Sequence, residues 1–265
     1  MRVLELCREL SIEAVIPSFE VKKHALGDAG GLATVVPDLE GSKVDLCVAL
    51  GGDGTILRAF HRFPEMQTAV LGVNFGRVGF LSAIRPEEVP DRLRSILKGD
   101  FDTLDLSMIE MRHTGGGALA LNDIVVHKAH GGSVVRLSYA VDGIGFTALS
   151  CDGLVLATPA GSTAYNLSNG GPLMSLSLDA LALTAISPHS LMFRTLVIGP
   201  SEKMKIGNQT RGSAASIYVD GRETGQLAPG ENLELFLATQ KAHLVQPPGA
   251  DFYRTLRDRF IQPAG

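Results

Sequence analysis

The sequence has little net charge, few cysteines and no long apolar run. Its 265 residues include 24 lysine and arginine side chains against 28 aspartate and glutamate side chains, a formal charge of −4. Proteins that neutralise nucleic-acid phosphates need a strong basic excess or a basic face, so no nucleic-acid partner is expected. The three cysteines, Cys7, Cys47 and Cys151, are few and far apart, which fits reduced thiols in the cytoplasm rather than a disulfide framework.

The apolar residues are too interrupted for a membrane protein. A spanning helix needs about 18 consecutive apolar residues, and the longest runs here are broken by Asp45, Asp152 or Asp179. Charges interrupt the first residues every few positions, unlike a secretory signal. We therefore expect a cytoplasmic protein with no membrane partner. With 45% hydrophobic positions, the length allows one large or two medium domains.

The first third of the chain has the pattern of an α/β domain. Residues 44–50 are almost continuously apolar and end at a glycine-rich turn, residues 55–60 have helical spacing, and 69–73 form a second apolar run. Strands that are apolar on both faces, with a helix between them, are typical of parallel sheets. Residues 20–43 predict a loop with one short helical piece. The predicted N-terminal α/β domain covers residues 1–98 and starts with a helix, without a first strand.

From about residue 102 the pattern alternates between apolar and polar residues. Such alternation predicts antiparallel strands, and Asp142-Gly143 and Asp220-Gly221 supply turn residues between them. A mainly β domain of the sandwich type is therefore expected over residues 99–240. In the segment 241–265, apolar residues recur every fourth position and predict a last helix that packs on the N-terminal domain.

The segment Gly51-Gly52-Asp53-Gly54-Thr55 is the first candidate site, because open α/β sheets bind ligands where such strands end. Its glycines allow a sharp turn and let backbone N–H groups approach a phosphate chain at the start of a helix. A carboxylate beside a phosphate calls for a divalent metal or for a hydroxyl proton to accept, and both indicate phosphoryl transfer. The alternative is a tight turn in which Asp53 caps the helix.

Two polar segments of the β-rich part are further candidates. Residues 152–172 are dense in glycine, serine, threonine and asparagine, which suits the polar edges of a nucleotide, and Tyr165 can lie against a base. The pair Asn122-Asp123 can donate to and accept from the two hydroxyls of a ribose. A structured loop and a turn before a strand are the respective alternatives. No metal held by protein ligands is predicted, since three histidines lack metal-ligand spacing with the cysteines: His127, His130 and His189.

Taken together, these motifs resemble the NAD kinases, which phosphorylate the 2′-hydroxyl of the adenosine ribose of NAD to make NADP. A single Gly-Gly-Asp-Gly-Thr segment is shared with lipid kinases, whereas the whole series in this order is specific. The resemblance runs from about residue 44 to residue 237. It is carried by residues 51–55, 72–81, 122–123, 152–172, 188–191, 193–194 and 219–221.

The resemblance implies that NAD lies in the cleft between an α/β domain and a β domain. Asp53 would orient or deprotonate the 2′-hydroxyl, a role worth ~10² to 10⁴ in rate. Asn122 and Asp123 would hold the nicotinamide-side ribose. Asp152 would reach the nicotinamide end of an NAD bound mainly by a neighbouring protomer. The remaining NAD contacts would be Gly54, Thr163, Ala164, Tyr165 and Ser168.

The resemblance also implies ATP with Mg²⁺, or polyphosphate, as the phosphoryl donor. The backbone of the glycine turn would cradle the donor phosphates, and two arginines are the nearest cations. Because a neighbouring protomer would supply Asp152, a homodimer or homotetramer with a shared site is expected. The donor-side residues are then Gly51, Gly52, Gly54, Thr55, Arg58 and Arg77.

Three features depart from the family pattern. Ala160 stands where the family usually has Thr or Ser, which removes one hydroxyl contact to NAD. Asp123 stands where Glu is commoner, which shortens the reach by one methylene. Family members generally begin with a strand before the first helix, and its loss would expose a sheet edge. Two alternatives stay open: a lipid kinase with the same loop, and a non-catalytic NAD-binding sensor.

Overall fold

Strands that are apolar on both faces come first in the sequence, and strands that alternate between apolar and polar residues follow. Each set forms its own part of the fold. The computed structural model describes residues 2–27, 31–39, 43–63, 67–74, 79–82, 84, 88–129, 133–246 and 251–260. The chain divides into unit 1, Met1–Leu104 with Ala242–Gly265, and unit 2, Asp105–Lys241. The predicted order, an α/β part followed by a mainly β part, is confirmed.

Unit 1 contains short helices and parallel strands. Its elements are α1 (Arg2–Glu9), β1 (Val15–Pro17), α2 (Ser18–Lys23), β2 (Thr34–Val36), β3 (Leu46–Leu50), α3 (Asp53–Phe60), β4 (Ala69–Val73) and α4 (Val89–Leu97). Strands β3 and β4 pair in parallel, and β4 also pairs in parallel with Leu244. Strands β1 and β2 form a separate two-stranded sheet. Strand β2 was predicted as loop, because its three residues are too few to show a period.

The core of unit 1 is built from the faces that the apolar spacing predicts. Leu6 of α1 packs in one cluster with Leu71 and Val73 of β4 and with Leu93 and Ile96 of α4, each 7% exposed or less. Burying an aliphatic side chain of this size contributes about 1.5–3 kcal/mol. This cluster holds the carboxyl ends of β3 and β4 in place, where the glycine turn begins.

Helix α3 lies unusually close to β4. Ile56 of α3 is fully buried, and a Cβ atom on Gly72 of β4 would lie 2.4 Å from Ile56 Cδ1. The same atom would lie 3.0 Å from the carbonyl oxygen of Leu81 and from the Cα atom of Ser82. Only glycine therefore lets the helix that carries Asp53 pack at this distance.

Unit 2 contains most of the strands. They are β5 (Asp102–His113), β6 (Gly116–Ala120), β7 (Asp123–Lys128), β8 (Val135–Val141), β9 (Ile144–Gly145), β10 (Leu149–Cys151), β11 (Gly153–Ala157), β12 (Leu181–Ile186), β13 (Leu196–Ile198), β14 (Met204–Asn208), β15 (Ala215–Val219), β16 (Arg222–Leu227) and β17 (Asn232–Gln246), with the short helix α5 (Tyr165–Ser168). The first residues of β5 and the last of β17 belong to unit 1.

Two antiparallel sheets face each other across the core of unit 2. A six-stranded sheet has the order β13-β12-β11-β7-β15-β16, and the second follows β10-β8-β14-β17. Ile124 and Leu154 from the first sheet share one buried cluster with Leu137, Ile206 and Leu235 from the second. The predicted sandwich of sheets is therefore confirmed.

Two-residue turns of the predicted type close two hairpins of the sandwich. Asp142 and Gly143 have φ angles of 48° and 80°, and Asp220 and Gly221 have 48° and 77°. Positive φ at both central residues is the geometry that matches the twist of a hairpin, and aspartate followed by glycine tolerates it best. The second turn joins β15 to β16 and places Asp220 next to the start of β7.

The last described element, α6 (Phe252–Phe260), belongs to unit 1 and contacts Phe80. The ring centroid of Phe80 lies 6.1 Å from that of Phe252 and 6.4 Å from that of Phe260, and the guanidinium of Arg259 lies 4.8 Å above the ring. These contacts bury Phe80, which is 8% exposed. Within the described ranges, no helix has the length and apolar character needed to cross a bilayer.

Replacing Gly72 by alanine should destabilise the protein by about 1–3 kcal/mol, because the new methyl group meets Ile56 and two backbone atoms at once. Thermal and urea unfolding measure the change. Gly225→Ala is the matched control, since a Cβ atom there meets nothing within 4 Å. Equal stability of the two variants would contradict the close packing of α3 on β4.

Candidate functional site

The glycine turn connects β3 to α3, and its first residue has no room for a side chain. The N–H of Gly51 donates to the carbonyl oxygen of Val73 (2.8 Å), and a Cβ atom on Gly51 would lie 2.6 Å from Thr55 Oγ1. Gly52 caps the helix with no side-chain hydrogen bond, and Gly52 and Gly54 are exposed. N–H groups in the first turn of a helix lack intrahelical partners. Here the N–H of Thr55 donates to the carbonyl oxygen of Gly52 (2.8 Å), so the N–H groups of Asp53 and Gly54 are the ones available to an anionic ligand.

Asp53 is the first residue of α3, and backbone N–H groups from a distant turn hold its carboxylate. The N–H of Phe80 donates to Oδ2 (2.9 Å) and that of Leu81 donates to Oδ1 (3.1 Å). A Cβ atom on Gly79 would lie 1.8 Å from Oδ1, so only glycine fits beside the carboxylate. The alternative that Asp53 is merely the helix cap is wrong, because Gly52 occupies that position.

Of the two arginines predicted on the donor side, Arg58 lies beside the glycine turn. Arg58 is exposed one turn along α3, and its Nη2 atom donates to Thr55 Oγ1 (3.1 Å). The structure thus brings one cation to the glycine turn, as the helical spacing allows. Arg77 lies outside the described residues, as does His130.

In unit 2, a single carboxylate holds the backbone of the Asn122-Asp123 pair. Asp220 accepts hydrogen bonds from the N–H groups of Leu121 (2.8 Å), Asn122 (2.7 Å) and Asp123 (3.0 Å). The N–H of Asp220 in turn donates to the carbonyl oxygen of Asp123 (3.0 Å). These four bonds fix the pair at the start of β7.

The side-chain oxygen of Asn122 is buried and accepts no hydrogen bond within the described part of the chain. Its own backbone is fully engaged, because the carbonyl oxygen accepts from Thr158 N–H (2.9 Å), and a Cβ atom on Gly161 would lie 1.9 Å from that oxygen. A buried polar atom without a partner is costly, so such an atom calls for a ligand or a water molecule. Asn122 therefore offers an acceptor ready for a hydroxyl group.

Asp123 is only 5% exposed. Burial, together with the negative charge of the Asp220 carboxylate, raises the pKa of Asp123 from its ordinary 3.8 to about 7. Near neutral pH the group therefore exchanges between a carboxyl that can donate and a carboxylate that only accepts. Both forms suit a diol.

The polar residues of 158–172 divide into an inner and an outer set. Ser162 and Asn166 are buried and bond to neighbouring backbone: Ser162 Oγ donates to the carbonyl oxygen of Pro159 (2.6 Å), and Asn166 Nδ2 donates to those of Ser162 (3.3 Å) and Pro172 (3.1 Å). The structured-loop alternative thus accounts for the inner set. The outer set is the predicted one, with Tyr165 and Ser168 exposed and Thr163 and Ala164 partly exposed.

Asp152 stands just before β11 and pairs with the last residue of β7. Lys128 Nζ lies 2.8 Å from Asp152 Oδ1. The hydrogen bond from Lys128 lowers the pKa of Asp152, and the charge of Lys128 and of the nearby His127 and His189 adds to this effect. The predicted residue is therefore an ionised, partly exposed carboxylate with cationic neighbours.

Comparison with known proteins assigns the chain to a family. Sequence profiles of the ATP-NAD kinase N-terminal domain and the ATP-NAD kinase C-terminal domain match residues 14–101 and 121–247. The NAD kinase of Rhodopirellula baltica is 36% identical over 84% of this chain and 73% of its own length. That of Alcanivorax borkumensis is 35% identical over 89% of this chain and 81% of its own length. The chain belongs to the NAD kinase family.

Solved structures of NAD kinases have the same fold. Yeast NADH kinase complexed with NADH superposes with a TM-score of 0.85 at 24% identity, over 99% of this chain and 84% of that one. An NAD kinase from Archaeoglobus fulgidus in complex with ATP superposes with a TM-score of 0.73 at 24% identity, over 93% and 96%. The resemblance and the fold class predicted from the motifs are confirmed, and a lipid kinase is not favoured.

Sequence reasoning missed the groups that hold the predicted NAD kinase residues. It assigned no role to the backbone of Phe80 and Leu81 or to Lys128, and it treated Asp220 only as a turn residue. Asp220 carries a signal, since it stands in an aspartate–glycine turn at the end of an apolar strand. Lys128 carries none, because its partner lies 24 residues later. No described group of three or more histidine, cysteine or acidic side chains is arranged to hold a metal ion.

Replacing Asp123 by asparagine should stabilise the protein relative to wild type as pH rises. The pKa of Asp123 is higher in the folded protein than in the unfolded chain. Its contribution to the free energy of unfolding is therefore fully present below about pH 4 and is lost as the pH rises towards 7. Asparagine cannot ionise, so the variant should gain roughly 1–4 kcal/mol between pH 4 and 8. Urea unfolding at several pH values measures this difference.

The matched control is Glu223→Gln, at an exposed carboxyl group of the same unit. Its stability relative to wild type should change little with pH. A stability difference for Asp123→Asn that is constant from pH 4 to 8 would contradict a raised pKa at Asp123.

Proposed function

We propose that this protein is an NAD kinase that transfers the γ-phosphoryl group of ATP to the 2′-hydroxyl of the adenosine ribose of NAD and so makes NADP. The observation that carries the proposal is the Asp53 carboxylate, which two backbone N–H groups hold at the glycine turn of a chain belonging to this family. A dinucleotide sensor needs no such carboxylate beside a phosphate site.

The reaction follows from what each group of unit 1 can do. Asp53 accepts the proton of the 2′-hydroxyl while the 2′-oxygen of the ribose attacks the γ-phosphorus atom of ATP. The bond from this phosphorus to the β,γ-bridging oxygen breaks, and ADP leaves. The hydrogen bonds from Phe80 and Leu81 fix the direction of the carboxylate before substrate binds. First-turn N–H groups of α3 and the exposed Arg58 stabilise negative charge on the phosphates.

ATP is the proposed donor, with Mg²⁺ carried by its phosphates. The described residues fit this form of Mg²⁺ better than a resident metal, because they hold no cluster of metal ligands and Mg²⁺ commonly binds substrate phosphates, water and one or two carboxylates. Asp53 is the carboxylate that would face it. When bound, Mg²⁺ neutralises phosphate charge as it develops. Inorganic polyphosphate presents the same chain of phosphates and is the alternative donor.

The NAD-binding residues proposed in unit 2 match the chemistry of a nucleotide. Asn122 and Asp123 bind the nicotinamide-side ribose through an unpartnered amide oxygen and a carboxyl group that can donate or accept. Thr163, Ala164, Tyr165 and Ser168 contact the adenosine, and the exposed ring of Tyr165 is free to stack on the base. The three free cysteines support a cytoplasmic enzyme.

Asp53→Asn should lower kcat by ~10² to 10⁴ while NAD binding stays within a few-fold of wild type, because the variant loses the proton acceptor but keeps a similar shape. NADP formation from NAD, ATP and Mg²⁺ measures the rate, and calorimetric titration measures NAD binding. Asp91→Asn, an exposed aspartate of the same unit, is the control and should keep full activity. Unchanged turnover in Asp53→Asn would contradict the role of Asp53. A wild-type protein that binds NAD but forms no NADP would favour a sensor.

We also propose that the enzyme is a homodimer or homotetramer in which Asp152 contacts an NAD bound mainly by a neighbouring protomer. The loop 187–195 supports this arrangement, because it begins beside Asp152 and exposes adjacent apolar side chains. His189 N–H donates to the carbonyl oxygen of Ser150 (2.9 Å), while Leu191 and Met192 are 92% and 86% exposed. Apolar side chains this exposed are typical of contact surfaces.

Charge on this loop should therefore weaken the assembly. Leu191→Glu combined with Met192→Glu should lower the oligomeric state and raise the KM for NAD together, because the loop and Asp152 meet the same neighbour. Sedimentation equilibrium and steady-state kinetics measure the two effects. Tyr253→Glu, on an aromatic side chain of unit 1 that is 65% exposed, is the control. An unchanged oligomer in the double variant would exclude this loop from the interface.

A further inference from the structure

Lys128 pairs with Asp152 through both backbone and side chain. The N–H of Lys128 donates to the carbonyl oxygen of Asp152 (2.8 Å), and the strands on either side are in register, with Gly153 opposite His127. The N–H of Asp152 donates to the carbonyl oxygen of Ile186 (2.9 Å) on the other flanking strand. The positions of both side chains are thus set by the centre of the six-stranded sheet.

The side-chain contact leaves half of the carboxylate free. Lys128 Nζ lies 2.8 Å from Oδ1 of Asp152, whereas no described side chain or backbone group donates to Oδ2. The two side chains are 30% and 25% exposed. His127, His189 and the buried thiol of Cys151 are the other titratable groups beside Asp152. A ligand at this place therefore meets a carboxylate whose charge is largely balanced by one lysine.

The balance between the charges of Asp152 and Lys128 affects how well the charged and uncharged forms of the nicotinamide ring bind. The ring of NAD⁺ is a cation and the ring of NADH is neutral, so a bare carboxylate near the ring favours NAD⁺ and a balanced ion pair discriminates little. We infer that Lys128 is a positioning residue that orients Asp152 and, by balancing its charge, sets the choice between NAD⁺ and NADH as phosphoryl acceptor. This inference rests on the proposed function, because it takes Asp152 to lie at the nicotinamide end.

The test is the ratio of the KM for NADH to the KM for NAD⁺, measured with ATP and Mg²⁺ at pH 8, where imidazole charge is small. Lys128→Met should raise this ratio about 2- to 5-fold, since it leaves Asp152 unbalanced in a partly exposed place. Asp152→Asn should lower the ratio, since the positive charge of Lys128 is then unbalanced and disfavours NAD⁺. The double variant should return towards wild type, and Lys128→Arg should keep the wild-type ratio.

Arg112→Met is the matched control, because Arg112 forms an exposed ion pair of the same length with Glu110 in the same unit. It should leave the ratio unchanged, and thermal unfolding should show each variant folded. A merely structural lysine would change stability, or both KM values equally, and not their ratio.

The outcomes separate this inference from the proposed function. A wild-type protein that phosphorylates neither acceptor overturns the kinase assignment, and the inference with it. A wild-type protein that is active, but whose KM ratio is the same in Lys128→Met, Asp152→Asn and wild type, overturns the role of Lys128 alone. Opposite shifts in the two single variants support it.

Discussion

Backbone N–H groups hold two carboxylates, one in each unit, and the candidate functional residues of each unit depend on them. Asp53 accepts from Phe80 and Leu81, and Asp220 accepts from three consecutive residues that begin at Leu121. Main-chain donors of this kind cannot rotate away, so each carboxylate is oriented before any substrate arrives. In Asp53 the held group is itself the proposed proton acceptor. In Asp220 it holds the backbone of Asn122 and Asp123, the proposed ribose ligands.

Close approach of main chain to side chain makes this arrangement possible, and it explains why glycine stands where it does. Gly79 leaves room for the Asp53 carboxylate, Gly72 lets α3 pack on β4, and Gly161 lets the loop pass the carbonyl group of Asn122. Each of these positions would place a Cβ atom within 2.4 Å of another atom. The arrangement therefore depends on glycines, which have no side chain, as much as on the polar residues.

The features that could be predicted from the sequence are those encoded by near neighbours. The glycine turn, the helix after it and the hairpin turns at Asp142 and Asp220 each follow from a few adjacent residues. The family motifs likewise singled out Asn122 and Asp123, whose role in binding a ribose stays a prediction. Three features depend on distant partners instead: the bonds to Asp53 from 27 and 28 residues away, the raised pKa of Asp123 beside Asp220, and the pairing of Lys128 with Asp152. Local patterns contain no information on such pairs.

The central claim is that this chain moves a phosphoryl group from ATP to one particular hydroxyl of NAD. Phosphorus NMR of a reaction containing the wild-type protein, ATP, Mg²⁺ and NAD tests it directly, because it shows both the loss of the γ-phosphate and the position of the new phosphomonoester. The account predicts ADP and a single new phosphate on the adenosine 2′-oxygen, in equal amounts. Release of inorganic phosphate alone, or a phosphate on any other oxygen of NAD, would contradict it.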